Sequence, residues 1–315
     1  MIVTLAGGVG ASRFLKGLVE VVDPASVVAV VNTADDVDLH GLHVSPDLDT
    51  VTYALAGAVD AGQGWGMAGE SWTVMGALER LRPSAPDASS AGITWFRLGD
   101  LDLATHLYRT QRLREGARLS EVTAEITRAW GLACRLVPMT DDRVETRLVV
   151  EDQGEIGFQE YFVARRHSVP VQSVRFAGAD AAAPAAGVLE ALAEAERVII
   201  APSNPVVSIA PILAVPGVEE AVAARRQDTV AISPIVAGTA LKGPAARLMV
   251  ELGLEASVVG VARLWAPWAA SLVIDDADAH LAPAVEGEGV TCVVAPTVMH
   301  GPAEAAALAR VVLSA

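Results

Sequence analysis

The sequence predicts an α/β protein: a doubly wound, mostly parallel, Rossmann-like sheet with an inserted helical and hairpin region. Three observations carry that expectation. The apolar run Ile2–Ala6 leads through Gly7-Gly8-Val9-Gly10 into Ala11, Phe14, Leu15 and Leu18 at helical spacing. A second run, Val27–Val31, follows that helix. Two short strands joined by a helix imply parallel pairing through a right-handed crossover. Strand and helix then alternate again towards the other end of the chain, with strands expected at Arg197–Ile200, Thr229–Ile232, residues 257–261, Ser271–Ile274 and residues 290–294.

The elements between follow in order. Ser45-Pro46 reads as an N-cap with proline at the first helical position, and Leu48, Val51 and Leu55 line one face of the helix after it. Residues 65–128 are richer in tryptophan and charge and read mainly as helices. Residues 146–163 read as a hairpin: a strand at 147–150, a turn at Gln153-Gly154, and a strand at 156–162, with Gln159 and Tyr161 on one face. The alanine-rich residues 180–186 run into a helix ending near Ala195, and residues 304–312 form a closing helix. The expected organisation is one domain over residues 1–315, with a core of 1–65 and 170–315 and an insertion of about 66–169.

Composition bounds the function. Of 315 residues, 52% are hydrophobic and 19% charged, ample for a buried core. The formal charge of −15 disfavours nucleic acid and anionic membranes as partners. Lys16 and Lys242 are the two lysines; the remaining positive charge is arginine, suited to bidentate phosphate or carboxylate contacts. Cys134 and Cys292 form no C-x-x-C pattern and fit a reducing cytoplasm. The N-terminus reads as a strand rather than a signal peptide. The longest uncharged run, residues 198–218, holds four prolines, Pro202, Pro205, Pro211 and Pro216, and is not expected to span a membrane as one helix.

In doubly wound folds ligands bind beyond the carboxyl ends of the strands. Each polar cluster of this chain is expected at such an end. Gly7, Gly8 and Gly10 let the backbone approach a phosphate, and the helix that follows aims its N–H groups at the anion. The motif is neither G-x-G-x-x-G nor a P-loop, and the second strand ends in Asn32 rather than an acid, which weakens a nicotinamide reading. Asp35, Asp36, Asp38, Asp47 and Asp49 crowd together, and a divalent cation relieves their repulsion. Asp47 and Asp49 also suit the first turn of a helix, where acids favour the dipole. Two residues apart, they do not share a helix face, so Asp35 or Asp36 with Asp49 is the expected metal pair. Ser203-Asn204 and Ser233-Pro234 are uncharged loops that read equally as ligand contacts or as turns. His106 and Arg109, one turn apart, suit an anion or an ordinary surface pair.

Taken in order, several segments resemble the 2-phospho-L-lactate transferase family. They are Leu5-Ala6-Gly7-Gly8-Val9-Gly10, Val30-Val31-Asn32-Thr33-Ala34-Asp35-Asp36, Ser45-Pro46-Asp47-Leu48-Asp49-Thr50-Val51, Ala104-Thr105-His106, Phe158-Gln159-Glu160, Ala201-Pro202-Ser203-Asn204-Pro205-Val206-Val207-Ser208-Ile209 and Ser233-Pro234-Ile235. The resemblance implies a Mg²⁺-dependent homodimer. Its implied donor is a guanosine diphosphate ester of phosphoenolpyruvate, 2-phospholactate or 3-phosphoglycerate. Its implied acceptor is the ribityl hydroxyl of the deazaflavin Fo, with GMP released during coenzyme F420 synthesis. By resemblance, Asp49 stands at the deazaflavin–metal site, Gly7, Gly8 and Gly10 form the phosphate turn, and Ser203 and Asn204 belong to the guanosine pocket. Asn32, Thr33, Thr50, His106, Arg109 and Ser233 complete the candidate binding set. Asp36 and Asp49 are the candidate catalytic groups, and Asp35, Asp36 and Asp49 the candidate metal ligands. The chain departs from the family at Leu101, where a basic residue associated with the deazaflavin is usual. A non-enzymatic, nucleotide-sugar-binding relative of the gluconeogenesis-factor type is the alternative. The Ser-Pro-Asp-Leu-Asp-Thr and Phe-Gln-Glu segments favour the transferase.

Overall fold

The computed structural model describes residues 1–60, 66–86, 93–151, 154–240 and 243–315. Trp65, Gln153 and Lys242, which bear on the helix-rich stretch, the hairpin turn and the lysine count, lie outside the described residues. The chain opens with β1 (Ile2–Ala6), α1 (Gly8–Leu18) and β2 (Val27–Val31), followed by the small hairpin β3 (Val37–Leu39) and β4 (Leu42–Val44) and by α2 (Pro46–Leu55). The helices α3 (Thr73–Leu81), α4 (Asp102–Arg114) and α5 (Leu119–Ala129) come next. Then follow β5 (Arg135–Pro138), β6 (Glu145–Val150), β7 (Gly154–Gly157) and β8 (Val171–Ala177). The second half runs α6 (Val188–Glu194), β9 (Arg197–Ile200), α7 (Ala210–Leu213), α8 (Val218–Ala224) and β10 (Thr229–Ile232). After the short hairpin β11 (Ile235–Val236) and β12 (Thr239–Ala240) come α9 (Ala245–Glu251), α10 (Val258–Trp265), β13 (Ser271–Ile274), α11 (Ala282–Gly287), β14 (Thr291–Val294) and α12 (Pro302–Ser314).

Seven strands form one sheet in the order β14-β13-β10-β9-β1-β2-β5, every pair parallel. Strand periodicity explains why both faces are covered. Val3, Leu5, Val28, Val30, Val198 and Ile200 point to one core, with Val188, Leu192, Val222 and Val261 from the helices packed there. Ile2, Ala6, Val27, Ala29, Val31 and Ile199 point to the other, against Phe14, Leu15, Leu18, Leu48, Val51 and Leu308. Each such aliphatic or aromatic side chain contributes about 1.5–3 kcal/mol by leaving water, so the strand alternation alone commits the chain to this layering. No single helix among the described residues is long and apolar enough to cross a membrane.

The α/β doubly wound expectation is met, with four local corrections. Residues 257–261 are not a strand: Ser257 caps α10, its hydroxyl accepting from Gly260 N at 3.1 Å. Val258, Gly260, Val261, Ala262 and Trp265 are buried, and the spacing of three, four and seven from Val258 to Val261, Ala262 and Trp265 belongs to a helix. The strand expected at 156–162 stops at Gly157, and Glu160–Ala164 winds as a π-helical turn. Gln159 and Tyr161 therefore do not share a strand face; both are buried. Finally, β8 completes an antiparallel β7-β6-β8 sheet, and β5 brings the chain back to the main sheet within the stretch read as an insertion.

Candidate active site

From β1 the sheet grows in one direction through β2 and in the other through β9, so the topological switch lies between β1 and β9. A cleft of about 890 Å³ opens there, lined by loops from the carboxyl ends of the strands and by the α3–α4 region. The glycine turn after β1 and the Ser203 loop after β9 are locked together: the Ser203 hydroxyl donates to Gly7 O at 2.8 Å and receives Gly7 N at 3.3 Å. Gly10 is required by that contact, since a Cβ there would sit 2.1 Å from the carbonyl oxygen of Pro202. Gly8 adopts φ +69°, the left-handed region glycine enters without strain. Asn204 folds its own loop, its Oδ1 accepting from Val206 N at 2.9 Å.

A first acidic group stands beside the glycine turn. The buried amide of Asn32 donates to Asp35 Oδ2 at 3.2 Å, to Asp47 Oδ2 at 3.0 Å and towards Val207 O at 3.3 Å. Two carboxylates thus share one neutral donor. Burial, then the charge of Asp47, holds the Asp35 carboxyl well above the usual range. The Thr146 hydroxyl lies close enough to oppose that rise, although no hydrogen bond of ordinary geometry joins the two side chains, and Asp35 Oδ1 is buried without one. Asp47 is pushed up to about 7, chiefly by burial, with hydrogen bonds from Asn32 and the Gly8 backbone opposing. Gln159 anchors this group from the opposite wall, donating to Asp35 O at 3.0 Å.

A second group lies where α2 meets α4. Asp49 accepts both terminal nitrogens of the buried Arg109 guanidinium, one at 3.1 Å and one closer. The same Arg109 donates to His106 Nδ1 at 3.3 Å. Arginine has no lone pair to offer, so His106 Nδ1 is the acceptor and its ring proton belongs on Nε2, 3.2 Å from Asp102 Oδ2. Tyr53 donates to Asp102 Oδ1 at 2.5 Å and meets the Thr105 hydroxyl at 2.9 Å. Burial raises Asp49 despite Arg109 and His106. Burial also pushes on Asp102, but the adjacent His106 ring, the Tyr53 hydroxyl and the Arg109 charge outweigh it and leave Asp102 below the usual range. Asp49, Asp102 and His106 each offer an atom within 4.8 Å of the others, close enough to share a metal ion. The helix carrying Asp102 and His106 is fixed by Glu70, whose carboxylate accepts Leu101 N at 2.8 Å and Asp102 N at 2.9 Å. Asp100 reciprocates, capping Thr73 N at 3.0 Å and Val74 N at 3.1 Å at the start of α3.

The family profile described as 2-phospho-L-lactate transferase CofD matches residues 2–287. The chain belongs to the CofD family. Among its relatives, a phosphoenolpyruvate transferase of Kitasatospora aureofaciens is 43% identical over 99% of this chain and 97% of its own. Those of Streptomyces coelicolor (43%, 99% and 97%) and Mycolicibacterium smegmatis (39%, 98% and 96%) align as fully. Two crystal structures from Bacillus halodurans share the fold. One, described as a member of the upf0052 family, has TM-score 0.60 at 16% identity, covering 99% of this chain and 98% of its own; the other has TM-score 0.63 at 17% identity with the same coverage. The protein is thus a transferase of the CofD type on a Rossmann-like sheet.

In this CofD-family chain the cleft brings together Gly7, Gly8, Gly10, Asp35, Asp49, Thr50, His106, Ser203, Asn204 and Ser233 from the sequence-derived set. Asp36, Asn32, Thr33 and Arg109 are buried behind its wall and are not among the lining residues. Asp36 is held by the Ser45 hydroxyl at 2.7 Å and His43 Nε2 at 3.0 Å, tying the β2 loop to the start of α2. Asn32 and Arg109 orient the carboxylates in front of them. The pair that shares a donor is Asp35 with Asp47, not Asp35 or Asp36 with Asp49. Asp47, left to the helix dipole by sequence reasoning, faces the cleft with Tyr53, Asp102 and Arg13, which the sequence did not single out. The one available signal was the Asp102-x-x-x-His106 spacing, which puts both side chains on one helix face.

Proposed function

We propose that the protein transfers a phosphorylated three-carbon acid, phosphoenolpyruvate in the first instance, from its guanosine diphosphate ester to the ribityl hydroxyl of Fo, releasing GMP in coenzyme F420 synthesis. The observation that carries this reading is the single cleft in which a phosphate-type glycine turn and two differently tuned carboxylate groups face one another. The names of the aligned relatives favour phosphoenolpyruvate over 2-phospholactate and 3-phosphoglycerate. We further propose a homodimer acting in the cytoplasm, with small molecules and no nucleic acid or membrane as partners.

The residues present fit Mg²⁺. Asp35 and Asp47 crowd two carboxylates onto one amide, neither has an ion-pair partner among the described residues, and one Asp35 oxygen is buried without a formed hydrogen bond. This pair would hold the ion, which when bound would neutralise charge on the donor diphosphate. Asp49 is already met by the Arg109 charge and adjoins an imidazole, a composition better suited to handling a proton. In the reaction, N–H groups at the start of α1 hold the diphosphate, with Ser203 fixing the turn. The acceptor hydroxyl attacks the phosphorus bearing the acid, and its proton passes to Asp49. The bond from that phosphorus to the bridging oxygen breaks, and GMP leaves with the electron pair. Arg109 holds Asp49 in line through both terminal nitrogens, and His106 Nδ1, accepting from the same guanidinium, helps to fix Arg109. Positioning and electrostatics carry the rate, as expected for phosphoryl transfer.

The test is mass spectrometry of products from purified protein, Fo, Mg²⁺ and each guanylylated donor in turn. Metal-dependent GMP release with a phosphodiester of Fo is the expected result. Binding of a nucleotide sugar without turnover of any donor would instead support the regulator alternative.

A further inference from the structure

Glu70 is a half-buried carboxylate of the cleft wall to which the proposed reaction gives no step. Its two oxygens each accept one backbone N–H at the start of α4, Leu101 N at 2.8 Å and Asp102 N at 2.9 Å. A Cβ at Gly99 would run into the Glu70 carboxyl carbon and both of its oxygens, so position 99 leaves the room that this carboxylate fills. The contact is returned from the other side. Asp100 accepts the Ser71 hydroxyl, Thr73 N at 3.0 Å and Val74 N at 3.1 Å, and Asp100 N donates to Ser71 O at 3.0 Å. Each of two helix starts is thus capped by a carboxylate belonging to the other's lead-in segment.

This clasp reaches the reacting end through α4. The helix carries Asp102, His106 and Arg109, and Arg109 grips both oxygens of Asp49 on α2. The chain that leaves α2 arrives at Glu70 through a short paired stretch, with Ala68 N donating to Ala58 O at 2.7 Å and Val59 bridged to Met67. The two helices are therefore tied at Arg109 and again about two turns earlier, at the Glu70 clasp. The Tyr53 hydroxyl also holds the first turn, but by the Asp102 side chain, leaving the backbone N–H groups to Glu70. A stiff helix held at both places can neither slide nor tilt against α2. Resting on the reaction proposed above, we propose that Glu70 is a positioning residue for the transfer: by filling the N–H nest at the start of α4, it sets that helix so that Arg109 presents Asp49 to the acceptor hydroxyl. Glu70 touches no reacting atom in this role. A shift of about 1 Å in such a group costs about 10²-fold in rate.

The experiment follows Mg²⁺-dependent GMP release from Fo and the guanosine diphosphate ester of phosphoenolpyruvate, with kcat and donor KM separated. Glu70→Ala should lower kcat about 10–100-fold while donor KM stays within about threefold. Glu70→Gln keeps one accepting oxygen and should fall between wild type and Glu70→Ala. Gly99→Ala should match Glu70→Ala, because its Cβ displaces the carboxylate, and the double variant should lie within about threefold of either single one. Formate should restore Glu70→Ala about threefold or more by occupying the freed N–H groups, at an ionic strength where chloride does not. It should leave Glu70→Gln unchanged, since that side chain still fills the nest. Glu121→Ala is the structural control: it removes the carboxylate that accepts Arg118 N at 2.9 Å at the start of α5, and should lower the melting temperature without lowering kcat. A kcat near wild type in Glu70→Ala and Gly99→Ala, losses that multiply in the double variant, or a loss that formate leaves untouched overturns the positioning role while the proposed reaction stands. Absence of GMP release by the wild-type protein overturns both.

Discussion

Replacing Asp47 with asparagine should stabilise the metal-free protein while disabling the enzyme. Asp47 is a carboxyl whose folded-state pKa is pushed from 3.8 to about 7, first by burial. In the unfolded chain it ionises near the ordinary value, so between pH about 4 and about 7 the unfolded state binds fewer protons than the folded one. Stability therefore falls as pH rises through that window and levels off above it. Asp35, also raised, adds to the fall. The displacement of Asp47 corresponds to about 4 kcal/mol if taken whole. The side chain opens onto the cleft, so solvent screening leaves about 1–2 kcal/mol. Asparagine keeps an oxygen for the Asn32 or Gly8 donor and removes the charge.

The assay is thermal melting at about pH 5 and about pH 8 with and without Mg²⁺, paired with GMP release. Without metal near pH 8, Asp47→Asn should melt about 2–4 °C above wild type, with a flatter pH dependence. Mg²⁺ should raise the wild-type melting temperature more than that of the variant, and turnover should drop about 10²-fold. Asp49→Asn should lose turnover to a similar degree yet keep the Mg²⁺-induced rise. An Asp47→Asn variant that melts below wild type without metal, or that Mg²⁺ stabilises as fully as wild type, refutes the reasoning. Loss of the Mg²⁺ response in Asp49→Asn alone moves the ion to the Asp49, Asp102 and His106 group.

Arg109→Met leaves Asp49 buried without its counter-charge and should cost about 3–5 kcal/mol in denaturant unfolding; adding Asp49→Asn should recover part of that loss, and a strictly additive double variant would refute the pairing. Gly10→Ala drives a Cβ to within 2.1 Å of the Pro202 carbonyl and should cost about 1–3 kcal/mol and weaken GMP binding, whereas Gly76→Ala, with open space around it inside α3, should gain about 0.5–1 kcal/mol as the control. Asp36→Asn, behind the cleft wall, should keep turnover within about threefold and instead lose about 1 kcal/mol of stability with its Ser45 and His43 bonds; a hundredfold fall in turnover would return Asp36 to the reaction.

The sheet was readable because its strands are buried on both faces and therefore spell near-continuous runs of valine, isoleucine and alanine. The edge strand β5, which begins with Arg135 and ends with Pro138, carries no such run, and residues 257–261 carry one without being a strand. Short β-branched runs do not separate strand from helix unless the spacing of the buried positions is known. The site was readable wherever a loop end supplies its own chemistry, as at Gly7, Ser203 and Asp49. It was not readable where the role depends on what the fold sets opposite. Asp36 and Asp47 have the same side chain, but Asp36 is claimed by a serine and a histidine while Asp47 is turned to the cleft by an asparagine from another loop.

That distinction also explains how a chain of net charge −15 can offer a cleft to an anionic donor. Among the described residues five acids line it, Asp35, Asp47, Asp49, Glu70 and Asp102, but they are not equivalent. The Glu70 carboxylate is spent on the N-terminus of α4, the Asp49 carboxylate on Arg109, and the Asp102 carboxylate on Tyr53 and His106. What remains uncompensated is confined to Asp35 and Asp47, beside the glycine turn. On the proposed function, repulsion of a diphosphate is concentrated there, where a bound divalent cation would convert it into attraction. On this reading the donor binds with the metal or hardly at all, and donor affinity should depend on Mg²⁺ far more steeply than the affinity for uncharged parts of the acceptor.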